Sequence, residues 1–246
     1  HDLNSLILQH TEDLELSKNG MINDGIIATK LGLQGIPYLA EIIIIERDLT
    51  LLKNIKCRYH ISQISSKKSV EVIKERKDKV KFTCGVSINN LSLNENDIGD
   101  FKTFLKLSPP LRTEDDRMSL VNALSDKTID VIVSDHKPED EESKRLTFSQ
   151  AATGASGIET LLPLALELFH NDSVKLFKLI KLLTSNPAKI LKINKGNLSV
   201  GSDADLCIVD IYKPWIVKKE KIVSKSKNTC IDDKKLQGQV INTFVK

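Results

Sequence analysis

Residues 131–138 read VIVSDHKP, an apolar, β-branched run that ends abruptly in a carboxylate, an imidazole and a proline. Such a run is typical of a buried strand in a parallel sheet. The strand would carry Asp135 to the edge of the sheet at which the ligand sites of α/β folds lie. A simpler interpretation is that Asp135 only caps the loop that follows. These residues alone leave both interpretations open.

The composition predicts a folded protein that acts on a small molecule. The chain has 246 residues, of which 40% are hydrophobic, enough for one large domain or for a large domain with a small one. Its 36 Lys+Arg and 33 Asp+Glu residues are spread along the chain and give a formal charge of +3. This balance indicates neither a nucleic-acid surface nor a membrane surface. We therefore expect a small-molecule substrate.

The four cysteines stand alone, without a Cys-x-x-Cys pair, which argues against a zinc ribbon and a disulfide framework. A reducing, cytoplasmic setting fits this pattern. No apolar run reaches the roughly 18 residues of a membrane-spanning helix, and the first residues lack a signal pattern. The sequence starts without Met, and its first apolar segment already reads as a strand inside a fold. We expect the chain to be a fragment.

Apolar strand-like segments alternate with helical patterns along most of the chain. The predicted strands are residues 6–8, 57–65, 80–86 and 129–135. The predicted helices between them are residues 38–55, 67–79 and 113–124. The first of these helices contains four isoleucines that would suit a strand by propensity, but its apolar period is helical. Strands separated by helices predict a parallel sheet, and their spacing favours a βα barrel over a Rossmann fold. No Gly-x-Gly-x-x-Gly or P-loop occurs, which argues against nucleotide binding.

The remaining segments are predicted from turn and capping signals. Thr113 with Asp116 forms a capping box, and Asn186 is the predicted N-cap of a last helix. Two further helices are expected at residues 156–169 and 174–183. A polar loop is expected at residues 87–90, and a charged loop, solvated or mobile, at residues 139–144. After residue 192 the pattern changes to short strands and tight turns, which predicts a small β subdomain over residues 193–246.

Three polar side chains close predicted strands: His10, Gln63 and Asp135. Because the carboxyl ends of parallel strands meet at one edge of a sheet, these side chains can converge there. His and Asp are suitable zinc ligands, and zinc that polarises a carbonyl and activates water is a common means of hydrolysing an amide. Asp135 would then serve as metal ligand and general base. His10 and Asp135 are two candidate ligands, fewer than the three protein groups of a catalytic zinc site.

Several motifs in order resemble dihydroorotases of the class I, bacterial type, within the amidohydrolase superfamily. They are QHTED at 9–13, YHISQIS at 59–65, SPPLR at 108–112, SDHKP at 134–138, GIET at 157–160, NPA at 186–188, GSDAD at 201–205 and SKSKNT at 224–229. The resemblance implies an α/β fold, a (β/α)8 TIM-type barrel of the metal-dependent hydrolase kind, with a small C-terminal β subdomain. It also implies reversible interconversion of N-carbamoyl-L-aspartate and dihydroorotate. Residues 1–192 would be the C-terminal half of the barrel, beginning near its fifth strand.

The resemblance also implies roles for individual residues. His10 matches a metal-ligand histidine, and Asp135 matches the aspartate that binds metal and exchanges the proton. Substrate contacts, largely through backbone groups, would come from Ser108, Lys137 and the Gly154-Ala155 turn. The family's His-x-His motif with its arginine, and its bridging carboxylate or carboxylated lysine, have no counterpart in the sequence.

Five positions depart from the family pattern. Gln63 stands where the family has a second-metal histidine, and an amide is a poor zinc ligand, so one zinc ion is expected rather than two. Gly85 and Asn89-Asn90 stand where many relatives have a glutamate and a histidine pair. Glu139 replaces a residue that is often a substrate-binding histidine, and a carboxylate there would repel a dianionic substrate unless it is protonated or turned away.

Two hypotheses follow from the resemblance. The first is an active zinc-dependent dihydroorotase or related cyclic amidohydrolase, and the retention of His10 and Asp135 favours it. The second is a catalytically degenerate subunit that scaffolds aspartate transcarbamoylase, which Gln63 and Asn89-Asn90 would suit. A hydantoin or allantoin is a third, weaker choice of substrate. The partners to consider are therefore aspartate transcarbamoylase and a second copy of the chain in a homodimer.

Overall fold

The computed structural model describes residues 3–245, in which a parallel sheet carries the chain's apolar strand segments. The strands are β1 (Leu6–Gln9), β2 (Ile22–Asn23), β3 (Gly35–Ile36), β4 (Arg58–Ile64), β5 (Thr83–Ser87), β6 (Val131–Val133), β7 (Leu206–Ile216) and β8 (Lys235–Phe244). The main sheet has four strands in the order β1-β4-β5-β6, all pairing in parallel. The predicted α/β class with a parallel sheet is therefore confirmed.

Helices follow the strands of this sheet. They are α1 (Ile26–Leu31), α2 (Leu39–Leu52), α3 (Lys67–Arg76), α4 (Ile88–Ser92), α5 (Glu114–Ser125), α6 (Glu141–Lys144), α7 (Leu161–His170), α8 (Leu176–Leu183) and α9 (Ser185–Leu191). Single 3-10 turns occur at Glu95–Ile98, Thr103–Leu105 and Lys219–Lys221. Among the described residues no helix is long and apolar enough to cross a membrane.

The run of isoleucines in α2 is helical, as its period predicts. α2 buries Ala40, Ile44, Ile45 and Leu49, which recur on one face of a 3.6-residue period. The start of α5 is also as predicted, because Thr113 and Asp116 form a reciprocal capping box. Local patterning therefore overrides β-propensity where a helix can bury a continuous apolar face.

The central strands are buried on both faces. In β4 and β5 the side chains of Ile61, Ile64, Cys84 and Val86 have no exposed surface. The edge strand β1 differs, since Ile7 is 47% exposed. Continuous apolar runs in β4 to β6 thus correspond to strands covered by helices, which is the expectation for a parallel sheet.

Four segments differ from their sequence predictions. Residues 88–92 form helix α4 and not a polar loop, because the Ser87 side chain accepts a hydrogen bond from Asn89 N and caps the helix. Residues 141–144 form helix α6 and not a loop; Glu141 and Glu142 are exposed, as expected of a solvated segment, whereas Lys144 is fully buried. The strand predicted at 80–86 begins only at Thr83, and the helix predicted from residue 156 begins at Leu161.

The predicted N-cap of the last helix is also wrong. Thr184 is the residue before α9, and Asn186 lies inside the helix, where its Nδ2 donates to Asp130 O at 2.8 Å. Asn186 therefore ties α9 to the start of the strand that carries Asp135. This long-range contact outweighs the local capping preference of the residue.

The C-terminal region contains β7 and β8, which pair antiparallel. The short strands with tight turns expected after residue 192 correspond to strands at 206–216 and 235–244, and residues 196–205 form turns and coil. Leu236 of β8 and Val217 belong to the same buried cluster as the sheet residues, and Gly238 of β8 passes so close to Leu166 of α7 that an added Cβ would meet its Cδ1. The division into residues 1–192 and 193–246 remains a prediction.

His60 in β4 predicts a pH dependence of stability. The ring is 6% exposed, its Nδ1 lies 2.7 Å from Thr83 Oγ1, and burial lowers the pKa of His60 below 6.5. Below pH 6.5 the unfolded chain binds a proton that the folded chain does not, so the free energy of unfolding decreases as the pH falls. Urea unfolding of wild type and His60→Gln at pH about 7.5 and about 5.5 should show a loss larger by about 1 kcal/mol in wild type. Equal losses in the two proteins would contradict the prediction, since the other histidines contribute to both.

Candidate active site

Asp135 lies two residues after the end of β6, and its backbone there is in the left-handed region with φ +50°. Its Oδ1 accepts a hydrogen bond from Gln63 Nε2 at 2.8 Å, and its Oδ2 accepts one from Ser87 Oγ at 3.3 Å. Gln63 belongs to β4 and Ser87 ends β5, so the carboxylate joins the ends of three adjacent strands. Burial raises the pKa of Asp135, and the two hydrogen bonds act in the opposite direction.

His10 lies just after β1 beside two polar side chains. Its Nε2 is 2.8 Å from Glu12 Oε2 and 3.3 Å from Ser108 Oγ. The hydrogen bond with Glu12 raises the pKa of His10, and the same bond lowers the pKa of Glu12. His10 follows β1 and Asp135 follows β6 of the same parallel sheet, so both predicted metal ligands lie at its carboxyl-terminal edge.

Glu12 is a site residue that the sequence analysis did not single out. It lies in the motif QHTED, two residues after His10, and its Oε2 is hydrogen-bonded to Nε2 of that histidine. The sequence contains a signal for this role, because Glu12 is a carboxylate only two residues from the candidate ligand His10. Carboxylates that hydrogen-bond a histidine orient its ring.

The two candidate ligands are of types that bind a divalent cation, but they are too few for a complete site. His10 and Asp135 offer an imidazole nitrogen and a carboxylate, both of which zinc accepts. Within residues 3–245, however, no group of three His, Cys, Asp or Glu side chains is close enough together to hold a metal ion. A complete site would need ligands beyond the described residues.

The positions that depart from the family pattern have structural roles here. An added Cβ on Gly85 would lie 2.5 Å from Ser62 O, so a glutamate cannot replace this residue without a backbone shift. Asn90 Nδ2 donates to Pro110 O at 2.9 Å, and Asn89 is buried beside it in α4. Gln63 donates to Asp135 with the end of its side chain. Asn90 and Gln63 therefore connect neighbouring segments of the site through their side chains.

The predicted substrate-contacting turn lies against the loop after Asp135. His136 and Ala155 form an isolated parallel bridge, and Lys137 N donates to Ala155 O at 2.8 Å. Gly154 has φ +141°, and an added Cβ would lie 2.7 Å from Lys137 O. Glycine is required at this position for both reasons. The structure thus brings Lys137, Gly154 and Ala155 together, and their contact with substrate remains a prediction.

Glu139 is held by the C-terminal segment through its backbone. Its N–H donates to Asn228 Oδ1 at 3.3 Å, and its carbonyl accepts from Ser226 Oγ. Asn228 is 2% exposed, and its Oδ1 also accepts from Ser156 Oγ at 2.9 Å. The SKSKNT motif therefore organises this loop, a role that its sequence alone does not reveal.

A buried polar network lies beneath His10 and Gln63. Arg112 is 4% exposed, its Nε donates to Ser65 Oγ at 2.7 Å, and its Nη1 donates to Asn23 Oδ1 at 2.8 Å. Ser65 N and Oγ in turn donate to Glu41, whose carboxylate is buried in α2. Burial lowers the pKa of Arg112, and the charge of Glu41 opposes this. Through Arg112, the network holds residues 108–112 against α2 and the end of β4.

A separate cavity of about 540 Å³ lies between α7 and the β7–β8 pair. His170 and Trp215 line it, and it shares no residue with the group around Asp135. His170 Nε2 lies 3.0 Å from Ile211 O, which fixes the ring to β7. The strand-end group and not this cavity contains the convergent polar side chains expected of an active site.

Comparison with known proteins agrees with this architecture. Residues 29–246 match the model of the amidohydrolase family. The chain is 44% identical over 245 residues to a dihydroorotase of Ehrlichia canis (strain Jake), and 40% identical over 246 residues to a dihydroorotase of Anaplasma phagocytophilum (strain HZ). Each alignment covers 99% of this chain and 55% of the relative. The chain thus spans about half the length of these relatives.

Solved structures give the same fold. An L-hydantoinase (dihydropyrimidinase) from Arthrobacter aurescens superposes with a TM-score of 0.85 at 28% identity, covering 99% of this chain and 56% of that one. A dihydropyrimidinase from Brevibacillus agri superposes with a TM-score of 0.86 at 22% identity over the same shares, and this likeness concerns the fold alone.

The fold is of the TIM-barrel type found in amidohydrolases, and the chain spans about half of the proteins that share it. The chain belongs to the amidohydrolase family, whose members are generally metal-dependent. The predicted fold class and the resemblance to dihydroorotases are thereby confirmed.

The Arg112 network predicts a stability effect. Arg112→Met would leave the oxygen atoms of Ser65 and Asn23 without their donor and Glu41 without a nearby buried cation. We expect the free energy of unfolding to fall by about 3 kcal/mol or more. Arg145→Met is the control, since Arg145 is exposed in its ion pair with Glu141, and it should cost less than about 1 kcal/mol. Similar urea midpoints for both variants would show that the network contributes little.

Proposed function

We propose that the whole protein is a dihydroorotase-like cyclic amidohydrolase that interconverts N-carbamoyl-L-aspartate and dihydroorotate in de novo pyrimidine synthesis. The observation that carries the proposal is Asp135, a carboxylate held by Gln63 and Ser87 where three parallel strands end. Relatives named dihydroorotase, 40–44% identical across nearly the whole chain, support this choice of reaction. Because the chain spans about half of each relative, the activity is proposed for the whole protein.

Asp135 is the proton carrier in this proposal. In the hydrolytic direction it accepts a proton from the attacking water, whose oxygen bonds to the amide carbon of the ring. The bond between this carbon and the ring nitrogen then breaks, and Asp135 returns the proton to the departing nitrogen. Burial raises the pKa of Asp135, so its protonated form is reached at a higher pH than in an exposed aspartate. Ring closure uses the same transfers in reverse.

A divalent metal, proposed as one zinc ion, would be held by His10 and Asp135 together with ligands from outside residues 3–245. When bound, zinc polarises the scissile carbonyl and lowers the pKa of a water molecule on it. Gln63 supports one ion and not two, because an amide is a weak zinc ligand and its Nε2 donates to Asp135. Glu12 would orient His10 for this role.

Substrate contacts are proposed at the edge of the same group. Ser108 lies within hydrogen-bond distance of His10, and Lys137 is an exposed cation beside the Gly154-Ala155 turn. A cation and backbone N–H groups suit the carboxylates of an anionic substrate. Glu139 is anchored through its backbone, and its carboxylate must turn away from such a substrate to avoid repulsion.

Other aspects of the function remain predictions. They are the cytoplasmic location, the homodimer and an association with aspartate transcarbamoylase. The alternative of a catalytically degenerate scaffold for that enzyme receives no support from the relatives, which are named as dihydroorotases. A hydantoin is the substrate to compare, because a hydantoinase shares the fold at 28% identity.

The test is the activity of purified whole protein carrying Asp135→Asn. Loss of the proton carrier should lower kcat for dihydroorotate hydrolysis by a factor of about 10² to 10⁴. The control is Asp126→Asn, a surface aspartate paired with Lys74, which should leave kcat unchanged.

Metal analysis of the wild-type protein should find about one zinc per chain. Wild-type protein should also hydrolyse dihydroorotate with a higher kcat/KM than hydantoin. Full activity of Asp135→Asn, or zinc-loaded wild-type protein without turnover of dihydroorotate, would overturn the proposal.

A further inference from the structure

Two buried lysines lie behind the turn formed by Gly154 and Ala155. Lys106 is 8% exposed, and Lys144 has no exposed surface. Within residues 3–245 neither ammonium group forms an ion pair with a carboxylate at 4.0 Å or less. Lysines are almost never fully buried without a paired charge, so these two need a specific explanation.

Backbone carbonyl groups surround both ammonium groups. Lys106 Nζ donates to three of them, Phe148 O at 2.9 Å, Ser149 O at 3.0 Å and Ala151 O at 2.9 Å. Lys144 Nζ donates to the next ones along the chain, Ala152 O at 2.8 Å and Gly154 O at 3.0 Å. The two lysines thus bind five of the seven carbonyl groups of residues 148–154, a segment that we call the carbonyl loop.

The contacts run in both directions. Gly154 N donates to Lys106 O at 3.0 Å, and Ala152 N donates to Ser143 O at 3.0 Å. Asn228 Nδ2 adds a second donor to Gly154 O at 3.1 Å. The peptide groups on both sides of Gly154 are therefore fixed by hydrogen bonds to other segments of the chain.

The carbonyl loop leads directly into the proposed substrate contacts. Ala155 follows the carbonyl loop, and its carbonyl oxygen accepts a hydrogen bond from Lys137 N at 2.8 Å. The positive φ of Gly154 allows the two segments to come this close. Because the carbonyl oxygens are drawn towards the buried ammonium groups, the turn has one orientation relative to Lys137. A turn that binds substrate through its backbone needs this kind of support, since small displacements weaken binding strongly.

Burial of the two ammonium groups costs solvation free energy, which their hydrogen bonds to the carbonyl loop offset in part. Burial lowers the pKa of Lys144 to about 8 and lowers the pKa of Lys106 as well. Hydrogen bonds to the carbonyl groups offset part of this desolvation cost. The positive charge of the ammonium groups then lies behind the turn that is proposed to bind an anionic substrate. A leucine side chain at either position would be buried without the cost of desolvating a charge, but it would leave the carbonyl groups without donors.

We infer that Lys106 and Lys144 are positioning residues that hold the Gly154-Ala155 turn in the orientation that binds the carboxylate of the substrate. The inference rests on the proposed function for the identity of the substrate. The clamp itself, two buried lysines on one carbonyl loop, does not depend on it. Neither lysine touches substrate, and both act through the turn.

The kinetic test compares Lys144→Met with wild type in the whole protein. Loss of the clamp should raise KM for dihydroorotate about tenfold or more and leave kcat within about threefold, because the proton carrier is untouched. Lys106→Met should act in the same direction. The matched control is Lys178→Met, whose Nζ also donates to a backbone carbonyl, that of Ser125 at 2.6 Å, away from the turn. Its KM should equal that of wild type, and an unchanged KM in folded Lys144→Met would overturn the inference.

A second measurement does not require activity. Amide hydrogen exchange, followed by mass spectrometry of peptides covering residues 148–155, should be faster in Lys144→Met and Lys106→Met than in wild type and Lys178→Met. Lys144→Arg keeps the charge and the donors, so it should recover part of the protection and of the affinity. If Lys144→Met does not fold, Lys106→Met and Lys144→Arg decide by the same readouts.

The two proposals fail in different ways. Wild-type protein without turnover of dihydroorotate would refute the proposed function, while faster exchange of the carbonyl loop in the lysine variants would still support the clamp. Normal turnover in wild type with unchanged exchange and KM in both lysine variants would refute the clamp alone.

Discussion

The carboxylate of Asp135, hydrogen-bonded by Gln63 and Ser87, links the ends of β4, β5 and β6. This contact depends on strand register, in which Ser87 pairs with Val133 and Ile64 with Val86. A shift by one residue would turn Ser87 to the other face of the sheet and leave a buried carboxylate without a donor. The apolar interior of the strands and the polar group at their ends therefore specify the same register.

The polar shell around this contact is itself buried. Arg112 and Glu41 lie beneath His10, and Lys106 and Lys144 lie behind the Gly154-Ala155 turn. Each charged group is satisfied mainly by backbone or neutral oxygen and nitrogen atoms. Such networks hold the surrounding segments in one arrangement because a partly satisfied network is costly in a medium of low dielectric. The hydrogen bonds of these networks connect the segments that surround the candidate site.

The sequence predicts the parts of this structure that depend on local patterns. The parallel strands follow from apolar runs, and α2 follows from helical periodicity despite its isoleucines. The convergence of Gln63 and Asp135 follows because parallel strands end at one edge. Burial of Lys144 could not be predicted, because its neighbours in sequence are charged and its acceptors are carbonyl groups eight to ten residues away. The contact of Asn186 could not be predicted for a related reason, since its acceptor, Asp130 O, is 56 residues away in sequence.

A crystal structure of the whole protein with dihydroorotate bound tests the central claim most directly. The account predicts that the amide carbonyl of the ring lies beside Asp135 and that the carboxylate of the ligand lies against the Gly154-Ala155 turn. Ligand density in the cavity between α7 and β7–β8, with the surroundings of Asp135 free of it, would contradict the account.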